Sequence, residues 1–530
     1  MSPREQLLKM QRIILRQLKR SVHRLEGESS PEILRYYQAY KREFKNYQKI
    51  SNKSELLKSA RQADIIFGAD FHPFAQSQRT HLRILRELVK HKKPVVLALE
   101  AIDSKFQGSV EAYLDGEMDD KTFLKKINYS RVWGFPWENY KVLFDFARMY
   151  DLPVYGVNQS SLDRQKSDLA LRDSHSAEKI VALRQRFPNA LIYVVYGDLH
   201  LASSHLPRLT RKYLGKKDGT RFLTVFQDSE SLYWQLAKRR LEERVDVLKL
   251  RTDAYCVVNS PPWIKWQAYL NFLEQIADSE DKELSSDQDD TINHFIKLIE
   301  KVWKVDRAAT DFDSYARGDV QFAHHISKTL KKKDLNRVMI LVGKEKSFFI
   351  PTPPTFYLGT VDVNHIVSLA GQYIHSKMRC ENKIHLQFPQ DTVPHIWIEA
   401  IGFFASKLIN NRRKFAFLED LPSHHHVTLI ALEERLHEQM ALKTGKPLKS
   451  VRRNRYRKYL DYYEASRVVG AILGNRIYTA YQKNNLDHVK LHRWLKTPVS
   501  NSPRFLRFYI SVLEDLKKVQ VLERSKNERL

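Results

Sequence analysis

Only two cysteines, Cys256 and Cys380, occur in 530 residues. Two thiols cannot build a disulfide framework or a multi-thiolate zinc or iron–sulfur centre, and such sparing use suits a reducing compartment. Long apolar runs are missing as well. No stretch of about 18 apolar residues occurs, so no transmembrane helix is expected; the most apolar segment, His395 to Ile409, is broken by Glu399 and Lys407. A secretory signal is also absent. Between Pro3 and Leu25 the apolar Leu7, Leu8, Ile13, Ile14, Leu18, Val22 and Leu25 recur at helical spacing, but Lys9, Arg12, Arg16, Lys19, Arg20 and Arg24 interrupt them. That pattern reads as a basic amphipathic helix packed on its own domain, with a membrane-surface helix as the alternative. Neither Gly-x-Ser-x-Gly nor His-Glu-x-x-His is present, which leaves the standard serine-hydrolase and zincin chemistries unsupported. No internal repeat at a solenoid period is found. The expectation is a soluble, cytoplasmic protein.

What is present is ample core material and positive charge. Hydrophobic residues make up 42% and charged residues 28%, so the chain does not read as disordered. The formal net charge of +27 favours anionic partners: nucleic acid, an anionic membrane surface or an acidic ligand. The length argues for about two or three domains. Residues 1–60 read as a basic, helical N-terminal segment. Residues 61–277 alternate short apolar strands (64–67, 94–99, 153–157, 190–196 and 255–258) with helical stretches, the pattern of βαβ units and a mainly parallel sheet flanked by helices. Residues 278–290, DSEDKELSSDQDD, read as an acidic linker. Residues 291–530 follow a helical period, apart from a predicted strand pair, Val338–Val342 with Ser347–Ile350. The predicted fold class is therefore α/β followed by a mostly α-helical C-terminal region.

Chemistry gathers where the strands end. The first runs Ile65-Ile66-Phe67-Gly68-Ala69-Asp70-Phe71-His72 and the last Tyr193-Val194-Val195-Tyr196-Gly197-Asp198-Leu199-His200. Each is an apolar strand, then Gly, then Asp-x-His. The second strand ends in Glu100 and the third in Asn158-Gln159. In an open α/β sheet, ligands bind outside the carboxyl ends of the strands, so these residues are predicted to share one crevice. While the chain stays extended, residues two apart point the same way, letting carboxylate and imidazole converge. Two imidazoles and a carboxylate suit zinc or iron, with a further carboxylate to orient a histidine or a water. Against this stands a plainer alternative for each motif alone: an Asp capping the next helix and a satisfied polar His.

The order of Gly-Ala-Asp-Phe-His (68–72), a helix with His81, Leu97-Ala98-Leu99-Glu100, Trp137 and Tyr140 ahead of a helix, Val157-Asn158, and Gly197-Asp198-Leu199-His200 followed by Pro207 resembles the ChaN family of haem-binding-uptake proteins. That family belongs to a superfamily with the Tiki metalloproteases, the TraB proteins and the erythromycin-esterase-like enzymes. The resemblance spans about residues 60–260. It implies an α/β domain that binds haem or iron in some members. In the enzymatic relatives it implies a metal or acid–base site at positions that here are His72, Glu100 and His200. One departure is Ala69-Asp70-Phe71-His72 where Gly-Glu-x-His is expected, since the shorter Asp reaches one bond less far. A second is the missing export signal. Without Cys-x-x-Cys-His for covalent attachment, axial ligation of haem would fall to His or Tyr. Tyr155 and Tyr196, in the strands leading to the crevice, and Tyr140 are the tyrosine candidates, while Asp70, Asn158 and Asp198 complete the cofactor-binding set.

Three readings follow. The first is a ChaN-like protein that binds haem or a divalent metal, zinc or iron. The second is a metal-dependent hydrolase in which a metal on His72 and His200, with Glu100 as ligand or base, activates water for attack on an acyl or ester carbonyl. The third is a basic scaffold that binds nucleic acid or a protein through the C-terminal helices, where the cations of Lys443–Leu460 lie beside Tyr456, Tyr459, Tyr462 and Tyr463. A homodimer is compatible with all three. His424-His425-His426 and His324-His325 lack a carboxylate at ligand spacing and read as solvated or helix-terminal.

Overall fold

The computed structural model describes residues 2–159, 168–215, 218–278, 286–305, 311–359, 362–379, 383–418, 421–423, 425–445 and 456–519. Two compact units emerge, one built from residues 12–280 and the other from residues 1–11 with 281–526.

The first unit is an α/β sandwich around an eight-stranded sheet: β1 Lys49–Ser51, β2 Ile65–Asp70, β3 Val95–Asp103, β4 Val154–Asn158, β5 Leu191–Gly197, β6 Phe222–Gln227, β7 Val247–Arg251 and β8 Ala254–Val257. The strand order is β1-β7-β8-β6-β2-β5-β3-β4. From β8 to β4 every pairing is parallel, whereas β7 runs antiparallel to both β8 and β1. The fold is thus α/β and mostly parallel, as the alternating pattern implied. To this unit the N-terminal segment supplies the part of the helix Pro3–Glu26 from Arg12 onward, the helices Pro31–Arg42 and Lys53–Gln62, and the edge strand β1. Strands β6 and β7 were not anticipated.

Strands covered on both faces need near-continuous apolar runs, and the central strands β2, β3 and β5 have them at 65–67, 95–99 and 191–196. Ile66, Leu97, Leu99, Tyr193 and Val195 point into one core, against Leu85, Leu88 and Phe144 of the helices Ala75–Lys90 and Trp137–Met149. Ile65, Phe67, Val96, Ala98, Ile192 and Val194 point into the other, against Ile180 and Leu183 of the helix Leu169–Arg186. Each such buried aliphatic side chain contributes about 2 kcal/mol, so the sheet is a rigid platform for whatever its ends carry. Asp168 starts this helix by accepting from the amides of Ala170 and Leu171 at 2.9 and 3.1 Å, which sets Arg172 and Asp173 within its first five residues.

The second unit is mostly helical, with a small sheet of β9 Asp313–Ala316, β10 Phe348–Pro351 and β11 Pro354–Leu358 in the order β10-β11-β9. Its core helices are Val363–Arg379, Thr392–Ile409 and Tyr459–Gln482. Gly474 lets the last two approach closely, since a Cβ there would lie 2.4 Å from the Ala400 carbonyl oxygen. The predicted strand pair is half right. Ser347–Ile350 does overlap a strand, but it pairs antiparallel with β11, and Val338–Val342 closes the helix Lys332–Val342. Val338 and Leu341 are buried while Met339 and Ile340 are exposed. That is helical period, which a five-residue apolar run cannot distinguish from a strand.

Of the expected linker, residues 279–285 lie outside the described residues, while Asp278 ends one helix and Ser286 starts the next. Cys380, His424 and residues 446–455 also lie outside them. The tyrosines of the basic segment are placed against the stacking role read for them. Tyr462 and Tyr463 are buried, Tyr459 is half-buried, and only Tyr456 is well exposed. Their helix spends those rings on its core-facing side. Histidines read as surface groups behave so: His425 caps a helix through the Val427 amide, His426 stands 3.4 Å from Asp461, and His325 meets Thr355 Oγ1 at 3.1 Å. Among the described residues no helix is long and apolar enough to cross a membrane.

Candidate functional site

β2 and β5 are neighbours, and the chain runs from β2 to β3 and from β5 to β6 in opposite directions across the sheet, so their carboxyl ends form a switch point. Asp70, the last residue of β2, lies directly opposite Gly197, the last residue of β5.

Asp70 does not cap the following helix. It is buried, and its Oδ2 stands 2.9 Å from His72 Nδ1, the convergence that i, i+2 spacing on an extended chain implied. The Tyr140 hydroxyl donates to the same oxygen at 2.7 Å and Gln78 Nε2 donates to Oδ1 at 2.5 Å. With Nδ1–H donated to Asp70, Nε2 is the free nitrogen of His72. Burial alone would lower the His72 pKa, but the hydrogen bond and charge of Asp70, with Glu100 and Asp198 behind, outweigh it and hold the pKa above its ordinary value. Trp133 and Phe135 flank the imidazole with ring centroids at 4.5 and 4.8 Å, and Phe135 stacks on Phe272 at 4.7 Å. The His72 side chain remains 20% exposed at the mouth of this aromatic cleft.

Glu100 does not end its strand. β3 continues to Asp103 with an irregular register after Leu99, a distortion of the kind that re-aims a side chain. Its carboxylate accepts from the Gly197 amide at 2.6 Å through Oε2 and pairs with Arg172 through Oε1. Oε2 lies 3.9 Å from His72 Nε2, beyond hydrogen-bond reach. A Cβ on Gly197 would sit 3.2 Å from both of those atoms, so glycine is what allows the strand to press against them. Asn158 joins the site through Arg172, whose Nε donates to its Oδ1 at 3.2 Å.

The second Asp-x-His motif behaves differently. Asp198–Leu201 is a short 3-10 turn, so Asp198 and His200 do not share a side as an extended chain would make them. His200 Nδ1 meets Asp173 Oδ1 at 2.5 Å, and the Tyr36 hydroxyl donates to Asp173 Oδ2 at 2.9 Å. Asp198 has its carboxyl pKa raised by burial, partly offset by Lys265 and Tyr40. Tyr196 is buried with its hydroxyl 2.9 Å from Ser176 Oγ and its ring edge-on to His200. Tyr155 packs against the same core as Tyr196, beneath the Arg186 guanidinium. The structure thus bonds Asp70 to His72, links Glu100 to Asn158 through Arg172, sets the two groups side by side with His72 Nε2 3.9 Å from Glu100 Oε2, and bonds His200 to Asp173. Among the described residues no three His, Cys, Asp or Glu side chains are grouped to hold a metal ion.

Sequence reasoning missed Arg172, Asp173, Gln78, Trp133, Phe135 and Tyr36. None carries a local motif, and only the fold brings them near the strand ends. It also missed the support beneath β2. His81 lies flat under Gly68, with Nδ1 3.0 Å from the Tyr193 hydroxyl and Nε2 3.0 Å from the Ala69 carbonyl oxygen. A Cβ at position 68 would come within 2.5 Å of that ring. Gly68→Ala is therefore expected to destabilise the α/β unit by about 2 kcal/mol, read from its urea midpoint. An unchanged midpoint would show that His81 swings aside freely.

Residues 56–168 match the family model described as haem-binding uptake, Tiki superfamily, ChaN. A solved structure described as cofacial heme binding to ChaN of Campylobacter jejuni is 12% identical, the match covering 34% of this chain and 88% of that chain at a TM-score of 0.26. No curated protein matches. The matched segment, similar to that family, carries Asp70, His72, Glu100, Tyr140 and Asn158, while Arg172, Asp173, Gly197 and His200 lie beyond it.

Proposed function

We propose that the α/β unit binds haem at the carboxyl ends of β2, β3 and β5, where His72 would hold the iron. One observation carries the reading. Asp70 anchors Nδ1 of His72 at 2.9 Å, leaving Nε2 unbonded, with the Trp133 ring edge-on to the imidazole and the Phe135 ring tilted against it. A histidine that ligates a metal ordinarily donates its other ring N–H to a carboxylate or carbonyl, which fixes the tautomer and raises the basicity of the ligating nitrogen. The aromatic faces suit a flat macrocycle. The residues therefore fit the group that the ChaN family model implies. Bound haem would supply a redox-active iron; the chain's own part is to hold the imidazole in one orientation, keep its proton on Nδ1 and shield the ring from water.

The second reading, a hydrolase, draws on Glu100 lying 3.9 Å from the same nitrogen, a buried carboxylate beside an oriented imidazole. Its metal-dependent form has less support, because His200 is bonded to Asp173 instead of joining His72 and Glu100. Titration of the purified protein with hemin, followed by absorbance and run beside elemental analysis, separates the two. Saturable growth of a Soret band supports the haem reading. Stoichiometric zinc or iron with no Soret band supports the hydrolase, and binding of neither would remove both.

A further inference from the structure

One helix of the second unit turns its leucines outward. In His426–Thr444, Leu429, Leu432, Leu436 and Met440 are 40–61% exposed, while Thr428, Glu434 and Glu438 are buried beside Ile430, Ala431 and Ala441. The four outward residues stand at i, i+3, i+7 and i+11, so they form one continuous apolar stripe.

The inward acids fix which face is turned out. The Tyr509 hydroxyl donates to Glu438 Oε1 at 2.5 Å, and Arg435 Nη1 donates to its Oε2 at 2.6 Å. Burial, with the neighbouring charges of Glu438 and Glu433, pushes the Glu434 carboxyl up to about 8. A helix that met only water on its outer side would carry its glutamates there and its leucines inward. Single apolar side chains on a surface need no explanation, but a row of four does, and departures from patterning gather at functional sites.

Size and charge say what covers the stripe. Eleven residues of helix span about 17 Å, and one helix face of that length falls well short of the about 800 Å² per partner of a stable protein interface. A lipid surface sets no such minimum, since it admits apolar side chains at its headgroup boundary and attracts cations from beside them. Those cations are present. From Lys443 to Lys458 the sequence holds eight Lys or Arg residues and no Asp or Glu. Lys443 is exposed in the last turn of the same helix. Tyr456, an aromatic of the kind enriched at membrane interfaces, is 68% exposed. An apolar face and a basic segment are the two signals that membrane-surface attachment combines.

We propose that the outer face of His426–Thr444 docks on an anionic phospholipid surface. Leu429, Leu432, Leu436 and Met440 enter the headgroup boundary, and the cations that follow them meet the acidic headgroups.

Co-sedimentation of the full chain with vesicles tests this, comparing phosphatidylcholine containing about 30% phosphatidylserine with phosphatidylcholine alone. Binding to the anionic vesicles is expected, at least about tenfold weaker without phosphatidylserine, and weaker again as salt rises from about 0.1 to about 0.5 M. Leu436→Asp combined with Met440→Asp should weaken it at least about tenfold, since two inserted side chains become two anions facing an anionic surface. Met149→Asp combined with Val489→Asp makes the same change of charge at exposed positions off this helix and should leave binding unchanged. Both pairs should keep the wild-type urea midpoint. No binding to the anionic vesicles, equal binding to both compositions, or binding that survives Leu436→Asp with Met440→Asp would overturn the proposal. So would a dimer in solution that this pair abolishes, which would give the stripe to a second copy of the chain. The hemin titration is independent of all these outcomes.

Discussion

His72→Ala is expected to abolish the Soret band that hemin forms with the wild-type protein, a loss of at least about a hundredfold in affinity, or about 2.7 kcal/mol. Alanine removes the nitrogen offered to iron while leaving the carboxylate beneath it supported, because Asp70 keeps its bonds from Tyr140 at 2.7 Å and Gln78 at 2.5 Å. The fold should persist, so lost binding would report the ligand and not unfolding. Asp70→Asn should act more gently, by about 10- to 100-fold, since the imidazole stays but its orienting partner loses its charge. His200→Ala provides the contrast. Its imidazole is committed to Asp173 at 2.5 Å, so its removal should leave the Soret band in place. A Soret band that survives His72→Ala and disappears in His200→Ala would transfer the ligand role to the neighbouring network and refute the assignment made above.

Arg172→Met is expected to produce the largest loss of stability in the site. Glu100 is 2% exposed, and with the guanidinium gone its buried charge would keep only the Gly197 amide at 2.6 Å. Leaving one partner of a buried ion pair uncompensated costs about 3–5 kcal/mol. Because the Arg172 side chain is itself 22% exposed, the lower end, about 3 kcal/mol, is expected. Urea unfolding followed in the α/β unit measures it. Adding Glu100→Gln to Arg172→Met should recover more than half of the loss, because the neutral amide no longer needs a cation. A single-variant loss below about 1 kcal/mol would show that water serves Glu100 as well as arginine does.

Much of this was legible from residue order. The apolar runs 65–67, 95–99 and 191–196 declared buried parallel strands, because strands covered on both faces need near-continuous apolar runs. Asp70 and His72 declared their partnership, because their spacing acts through an extended backbone that the strand maintains. The identical-looking Asp198 and His200 did not, because the chain turns into a 3-10 helix at Asp198, and nothing within those three residues says whether extension will continue. The strand near 338–342 failed for a related reason: the helix that absorbs it is decided by neighbours on both sides of the run.

From the sequence alone came the α/β class of the first unit, the helical character of the second, and the Asp70–His72 pair. These depend on period and on spacing of a few residues, which covalent geometry transmits directly. The tertiary structure decided the rest. It brought Arg172 to Glu100 across 72 residues, gave His200 to Asp173, set Trp133 and Phe135 beside His72, and turned Tyr462 and Tyr463, next to a basic segment, into core. Such contacts arise from which helix packs on which face of the sheet, a choice made by the total burial of many apolar side chains and written in no single motif.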